Sequence, residues 1–275
     1  MPNPQTIREL ESYLSFLNDH ELDDVYLDEP INRLLAENKS RSATPAAQNA
    51  QATVTPLPTS VRVNALRPES LRHFDLDLAV ASATAVANTA TTIDALYAAL
   101  EAFPDIPLRY EGGKGVIRGR GAVPADLLII GDVPDAEEDD ALEAFQGKPG
   151  RLTDAALSAL GLTERTCRLP GLFWRPTGGR PATEEDTRLT APFMRRLIEL
   201  AQPKALILCG TTAVRTVLDS ADSVQKLRGK PHELALSSGA KTLVFVTFPP
   251  ALLLRQPLAK KAFWADCLQA TEGLG

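Results

Sequence analysis

Runs of apolar residues divide the second half of the chain into four predicted strands. They occupy residues 126–131 (DLLIIG), 166–173, 204–210 (KALILCG) and 242–248 (TLVFVTF). Mainly apolar runs of this length are typical of strands buried on both faces. Helical periodicity lies between them, at residues 152–160, 192–201 and 211–218. The alternation predicts a three-layer α/β/α fold with a mainly parallel, four-stranded central sheet.

The first third of the chain follows a different pattern. Residues 5–18 place Ile7, Leu10, Leu14 and Leu17 at helical spacing, and an acidic stretch, HELDDVYLDEP, follows. Residues 39–60 are rich in Ala, Thr, Ser and Pro and hold almost no large apolar side chains, so they cannot pack a core. We therefore expect a helical acidic extension over 1–38, a mobile, protease-sensitive linker over 39–60, a connecting segment over 61–94, and one large domain over 95–275. A helix is predicted over IDALYAALEAF, at the boundary between the last two.

Charge is distributed unevenly along the chain. The formal net charge is −6, but residues 1–42 carry 4 Lys/Arg against 9 Asp/Glu, whereas residues 204–275 carry 9 against 5. A basic C-terminal third is compatible with contact to phosphates, and equally with scattered solvated charge.

Cysteine spacing and hydropathy exclude several classes of protein. Cys167, Cys209 and Cys267 are far apart and form no CxxC pair, which argues against a disulfide framework and a zinc site. No apolar run reaches the roughly 18 residues of a membrane span, and the N-terminus has no hydrophobic signal segment. We expect a cytoplasmic protein that does not associate with membranes.

Candidate chemistry lies where the predicted strands end, because open parallel sheets bind ligands beyond the carboxyl ends of their strands. GDVPD follows the first strand, FWRPTGGR the second, GTTA the third and FPPALLLR the fourth. Asp132 in GDVPD would either position a water molecule or cap a helix. The acidic run over residues 135–140 favours a solvated loop over a metal site.

These stretches resemble the motifs of family 4 uracil-DNA glycosylases. GDVPDAEEDDALEAFQGKPGRLTDAAL is similar to the family's GEAPG region, and LFWRPTGGRPATEED to its (C/W)RPPGNRxPTxxE loop. Residues 226–229 (KLRG) match its KLRG turn, and PPALLLRQP resembles HPAxLLRxP. The similarity covers roughly residues 95–270, and DEPINRL resembles an extension of alphaproteobacterial members. It implies the glycosylase fold, action on DNA in base-excision repair, and hydrolysis of an N-glycosidic bond.

Several residues depart from the family pattern within the implied pocket. Asp132 stands where the family's glutamate handles the attacking water, and is one methylene shorter. Pro170 replaces the asparagine that hydrogen-bonds the flipped uracil. Pro249 replaces the histidine that faces the uracil carbonyl, and proline offers neither a side-chain donor nor a backbone N–H. Asp135 replaces the last glycine of GEAPG.

Other implied site residues are retained. Phe145 aligns with the family's base-stacking phenylalanine, although it would also suit an apolar core. Arg228 and Gly229 fall on the turn that contacts DNA, where Arg228 could equally be an ordinary surface arginine. Arg255 would either meet a phosphate or cap a helix C-terminus.

Many family members hold a 4Fe–4S cluster through four cysteines. The matching positions here are Phe103, Ile106, Trp174 and Thr190, none of which carries a thiolate. We expect no cluster and no other cofactor or metal.

Three functional hypotheses follow. The first is a superfamily member with degraded catalytic chemistry that binds single- or double-stranded DNA or a repair partner. The second is an active glycosylase in which Asp132 activates water for uracil or another damaged base. The third is a protein-interaction module that recruits a partner through its N-terminal extension and has a vestigial DNA groove.

Overall fold

The computed structural model describes residues 75–162, 165–237 and 239–274, so the extension predicted over 1–38 and the linker over 39–60 lie outside the described residues. Strands and helices alternate along the described chain. In order, the elements are α1 (Leu76–Thr89), α2 (Ile93–Ala102), β1 (Arg120–Gly121), β2 (Leu127–Ile130), α3 (Ala136–Ala141), α4 (Gly147–Ala159), β3 (Thr166–Leu169), α5 (Glu184–Ala201), β4 (Ala205–Cys209), α6 (Thr211–Leu218), α7 (Val224–Leu227), β5 (His232–Ala235), β6 (Lys241–Thr247), α8 (Pro250–Arg255) and α9 (Ala259–Glu272).

The sheet has the order β1-β3-β2-β4-β6-β5. The four predicted strands, β2, β3, β4 and β6, are mutually parallel and form its centre. Two short strands, β1 and β5, pair antiparallel at the edges and raise the number of strands to six. Sequence pattern missed them because β1 has two residues and β5, HELA, has four residues of which only Leu234 is buried.

Helices cover both faces of the sheet, which confirms the predicted three-layer architecture. Leu128 and Ile130 of β2 pack into one apolar cluster with α1, α2, α5 and α6. Leu127 and Ile129 face the opposite cluster, with α4 and α9. Because consecutive side chains point to opposite faces, a strand buried between two helical layers is mostly apolar at successive positions, as β2 and β4 are.

The segment expected to connect extension and domain contributes to the core. Within residues 61–94, α1 buries Ala79, Ala83 and Ala87 at four-residue spacing. Asp75 caps its start by accepting from the N–H groups of Asp77 and Leu78. The Ala/Thr-rich composition of this stretch therefore reflects a helix that packs closely, because small side chains allow close approach.

Helix α5 begins earlier than its pattern predicts, at Glu184 instead of Pro192. Thr183 and Asp186 form a reciprocal capping box that starts the helix eight residues upstream of the proline. Pro192 lies inside the helix, where the buried side chains of Leu189 and Phe193 hold the segment in place.

Smaller differences have similar causes. Helix α4 begins at Gly147 and not at residue 152, with Pro149 in its first turn, where a missing N–H costs nothing. Strand β3 ends at Leu169, directly before Pro170, instead of continuing to residue 173. None of the helices in the described ranges is long and apolar enough to cross a bilayer.

Candidate active site at the carboxyl ends of the strands

Four segments that follow β2, β3, β4 and β6 meet at one edge of the sheet. The Gly171 N–H donates to the Asp132 carbonyl at 3.2 Å, and the Gly210 N–H donates to the Thr247 carbonyl at 3.0 Å. A Cβ on Gly171 would lie 2.4 Å from the carbonyl oxygens of Gly131 and Asp132. Glycine at 171 therefore permits the close approach of the two strand ends.

Asp132, the candidate water-positioning residue, is half-buried and directed at α6. Its Oδ1 accepts from the Thr212 N–H at 3.0 Å. Helix α6 has Gly210 at its N-cap and receives no cap from that residue's side chain. Asp132 thus supplies across the sheet the oxygen that a helix N-terminus needs.

Gly210 and the Asp132 carboxylate are in close contact. Gly210 has φ +103°, and a Cβ there would lie 2.3 Å from Asp132 Oδ2. Oδ2 receives no hydrogen bond from the part of the chain that the structure describes. One carboxylate oxygen is therefore engaged by the helix and the other remains open to a small ligand.

Asp135 caps a different helix. Its Oδ1 accepts from the N–H groups of Glu137 at 2.9 Å and Glu138 at 3.0 Å, and Glu138 Oε2 accepts from the Asp135 N–H at 2.9 Å. The acidic run predicted as a solvated loop is therefore the short helix α3, started by this capping box. Asp139 within it is buried and accepts from the Lys114 N–H.

Phe145 is held in an unusual backbone conformation beside the end of β2. Its φ is +57°, which non-glycine residues adopt rarely. Glu138 Oε1 accepts from its N–H at 2.6 Å, and Arg120 Nη2 donates to its carbonyl at 2.8 Å. The ring lies next to Gly131, 3.3 Å from where a Cβ would stand, and is almost fully buried.

Glu138 therefore fixes both ends of the segment from Asp135 to Phe145, since its two oxygens accept hydrogen bonds from the N–H groups of these residues. Burial raises the pKa of Glu138 to about 7, although the hydrogen bonds from the two N–H groups lower it. Gly150 completes the loop, because a Cβ there would lie 1.7 Å from the Phe145 carbonyl oxygen.

The two prolines lie at the same edge of the sheet. Pro170 is buried directly after β3, and Pro249 is half-buried at the N-cap of α8, which no side chain caps. The Pro249 carbonyl accepts from the Leu252 N–H at 2.8 Å. Neither proline presents a hydrogen-bond donor to the space above the sheet.

Arg228 is tied to the interior of the domain. It forms a bidentate pair with Asp266, with Nε–Oδ2 at 3.1 Å and Nη2–Oδ1 at 3.0 Å, and lies over the Phe248 ring. Thr247 Oγ1 also donates to Asp266 at 2.8 Å. Burial is the main cause of the raised pKa of Asp266, which these donors oppose. The pair orders the segment that leads to Pro249.

The other implied DNA contacts lie at the surface, although the Gly229 N–H donates to Asp266. Gly229 has φ +78°, and nothing lies within 4 Å of where its Cβ would stand. Arg255 is exposed at the last turn of α8 and has no side-chain partner among the described residues.

The positions that match the cluster cysteines do not fit an iron–sulfur cluster. Phe103, Ile106 and Trp174 belong to one apolar cluster, and Thr190 is also buried. Phe103 packs on Phe193 with ring centroids 5.6 Å apart. Across the described ranges, no group of three or more His, Cys, Asp or Glu side chains could hold a metal ion.

Sequence reasoning missed the residues that hold the site together. Glu138 stands three residues after Asp135, the spacing of a capping box, so that signal was present. The partners Thr212, Arg120 and Asp266 are 80, 25 and 38 residues from the groups they hold, and no local pattern indicates such pairs.

The open, mainly parallel sheet defines an α/β protein, and proteins of this class bind their ligands beyond the carboxyl ends of the strands, where the candidate site lies. The profile of the uracil DNA glycosylase superfamily matches residues 118–271, more than half of the chain. The chain therefore belongs to the uracil DNA glycosylase superfamily, a family of DNA-repair glycosylases, as its motifs suggested.

Individual relatives agree with this assignment. The chain is similar to the type-4 uracil-DNA glycosylase of Pyrobaculum aerophilum, with 25% identity over 56% of this chain and 80% of that protein. The type-4 enzyme of Saccharolobus solfataricus is 28% identical over 58% of this chain and 77% of its own length. That of Thermotoga maritima is 28% identical over 51% and 72%, respectively.

Proposed function

We propose that this protein binds DNA at the carboxyl edge of its sheet and excises uracil at a rate close to background. The observation that carries the proposal is the engagement of Asp132, whose Oδ1 accepts from the Thr212 N–H at 3.0 Å. Asp132 is also one methylene shorter than the glutamate of the family pattern, which moves its carboxylate by about 1 Å from where it would direct a water at a sugar carbon. A displacement of about 1 Å can cost about 100-fold in rate.

The prolines support the same conclusion. A glycosylase must unstack its target base and recover that free energy through contacts to the flipped base. With prolines at 170 and 249, two polar contacts of the family pattern are missing. Each lost donor costs about 2.7–4 kcal/mol, so the pair together accounts for about 10⁴–10⁶ in rate.

The retained features favour binding. Phe145 is fixed beside Gly131 by Glu138 and Arg120, and a non-glycine residue with positive φ is typical of functional sites. We expect a base turned out of the stack to lie near this ring, and Arg255, which has no side-chain partner in the described ranges, to meet a phosphate. Arg228 acts indirectly, by ordering the turn through Asp266.

One observation favours a second candidate, an active glycosylase. Asp132 Oδ2 has no hydrogen-bond partner in the described part of the chain, and could hold a water while Oδ1 caps α6. In that case Asp132 would be the catalytic base, and its removal would abolish excision.

DNA binding is tested by fluorescence anisotropy with labelled single-stranded and duplex oligonucleotides that contain uracil. We expect weak binding whose affinity falls as the salt concentration rises. Phe145→Ala and Arg255→Glu should each lower the affinity further. Lys204→Glu is the matched control, because Lys204 precedes β4 at the opposite edge of the sheet. Absence of binding to either oligonucleotide would contradict the proposal and favour an interaction module that does not engage DNA.

A further inference from the structure

A groove of about 500 Å³ lies between α1, α5 and α6, away from the candidate active site. Its apolar surface comes from side chains such as Val80, Ile198, Val217 and Leu234. Four arginines line it, namely Arg188, Arg195, Arg196 and Arg215. We call this surface the arginine groove.

Two of the four arginines have unused donors. Arg215 is exposed and has no partner among the described residues, and Arg195 donates one hydrogen bond, from Nη2 to the Ala235 carbonyl at 3.0 Å. By contrast, Arg188 pairs with Asp77, and Arg196 with Glu199. Glu199 also accepts two hydrogen bonds from Ser237, so it is not available to pair with Arg195 or Arg215.

A buried hydroxyl marks the same groove. Thr216 is 5% exposed, and its Oγ1 has no hydrogen-bond partner in the part of the chain that the structure describes. Buried hydroxyl groups are normally satisfied, because leaving one unpaired is costly. Thr216 Oγ1 lies beneath the groove surface, and the surface itself offers an apolar floor and guanidinium donors, which a partner both apolar and acidic would satisfy.

We propose that residues 5–29 of this chain, its N-terminal segment, dock in the arginine groove. The segment combines the predicted amphipathic helix over 5–18 with an acidic stretch over 19–29. That stretch has six Asp or Glu residues and no Lys or Arg. Apolar side chains at helical spacing suit the groove floor, and the carboxylates suit Arg195 and Arg215. Docking of an amphipathic helix into a groove is a common recognition mode.

The connectivity of the chain favours this occupant over a separate protein. The described chain begins at Asp75, and the next residues form α1, which is itself a wall of the groove. Residues 30–74 join the segment to this wall. A tether of that length reaches any point of the groove and keeps the segment at a high effective concentration.

Hydrogen–deuterium exchange on the full-length chain at low salt tests the proposal. We expect residues 5–29 to exchange about tenfold more slowly in the wild type than in the double variant Arg195→Glu/Arg215→Glu. Adding Asp23→Arg/Asp24→Arg to that variant should restore the protection. Arg151→Glu is the matched control, since Arg151 is an exposed residue of α4 on the opposite face of the sheet and should change nothing.

Three results would overturn the proposal. The first is an unprotected segment in the wild type, and the second is protection that survives Arg195→Glu/Arg215→Glu. The third is protection that grows with protein concentration, which would indicate docking onto a second copy. If the double variant does not fold, a salt titration of the wild type decides. Protection should fall as salt screens the ion pairs, and protection that is independent of salt would contradict electrostatic docking.

Discussion

The Asp132 carboxylate accepts a hydrogen bond from the Thr212 N–H at 3.0 Å and so caps α6, the helix that follows the neighbouring strand β4. The residue that aligns with the family's water-handling glutamate therefore has a structural task. This relationship links the stability of α6 to the chemistry of the strand ends.

Replacement of Asp132 separates these two tasks. Asp132→Ala removes the cap and should lower the free energy of unfolding by about 1 kcal/mol, whereas Asp132→Asn keeps an acceptor oxygen and should change it little. Urea denaturation measures both. Asp135→Ala, which removes the cap of α3, provides a comparison of the same kind. An equal loss in the Asn and Ala variants would show that charge, not the cap, matters.

Arg228→Ala should be the more damaging change. Asp266 is buried, and without the guanidinium it would keep only Thr247 and the Gly229 N–H as donors. Loss of one partner of a buried pair costs about 3 kcal/mol or more, which would appear as a lower urea midpoint. Arg255→Ala, at an exposed arginine, should stay within about 0.5 kcal/mol of the wild type. Similar midpoints for the two variants would contradict an internal role for Arg228.

The pH dependence of stability should carry the signature of Glu138. Burial raises its pKa from 4.5 to about 7, so the folded protein holds this proton over a range where the unfolded chain has released it. The resulting stabilisation is complete below pH 4.5 and is lost as pH rises through about 7, and it amounts to about 3 kcal/mol at most. Comparison of wild type with Glu138→Gln between pH 4 and 8 isolates it. Parallel curves would show that the pKa of Glu138 is the same in the folded and the unfolded chain.

The fold was predictable to a greater extent than the site. The four central strands are buried on both faces, and that position favours apolar residues at successive positions, which a single sequence displays most clearly in β2 and β4. Strand β1 has no such constraint, and the start of α5 depends on a capping box that precedes the apolar stripe. In the site, Asp132, Phe145, Pro170 and Pro249 could be located because each follows a recognisable motif. Their partners could not, because Thr212 reaches Asp132 only through the lateral order of the strands.

We expect the purified protein to be colourless and free of iron. Thiolates are absent from the four matching positions, and Phe103, Ile106 and Trp174 fill the corresponding space with apolar side chains. Iron content per chain and the visible absorbance spectrum measure this. Stoichiometric iron, or an absorbance band of an iron–sulfur cluster, would contradict it.

Restoring the side chains of the family pattern tests whether the backbone around the pocket still has the geometry that excision needs. The triple variant Asp132→Glu/Pro170→Asn/Pro249→His should gain uracil excision if the backbone of the strand ends is intact. No gain in a variant that folds normally would mean that the pocket has closed or that one of the three positions is misaligned.

The most direct test of the central claim is uracil excision from a labelled single-stranded oligonucleotide and a labelled duplex with the wild-type protein in large excess. The account predicts cleavage close to background for both substrates, and no further loss on Asp132→Asn. Efficient excision that Asp132→Asn abolishes would contradict it and would make Asp132 the catalytic base of an active glycosylase.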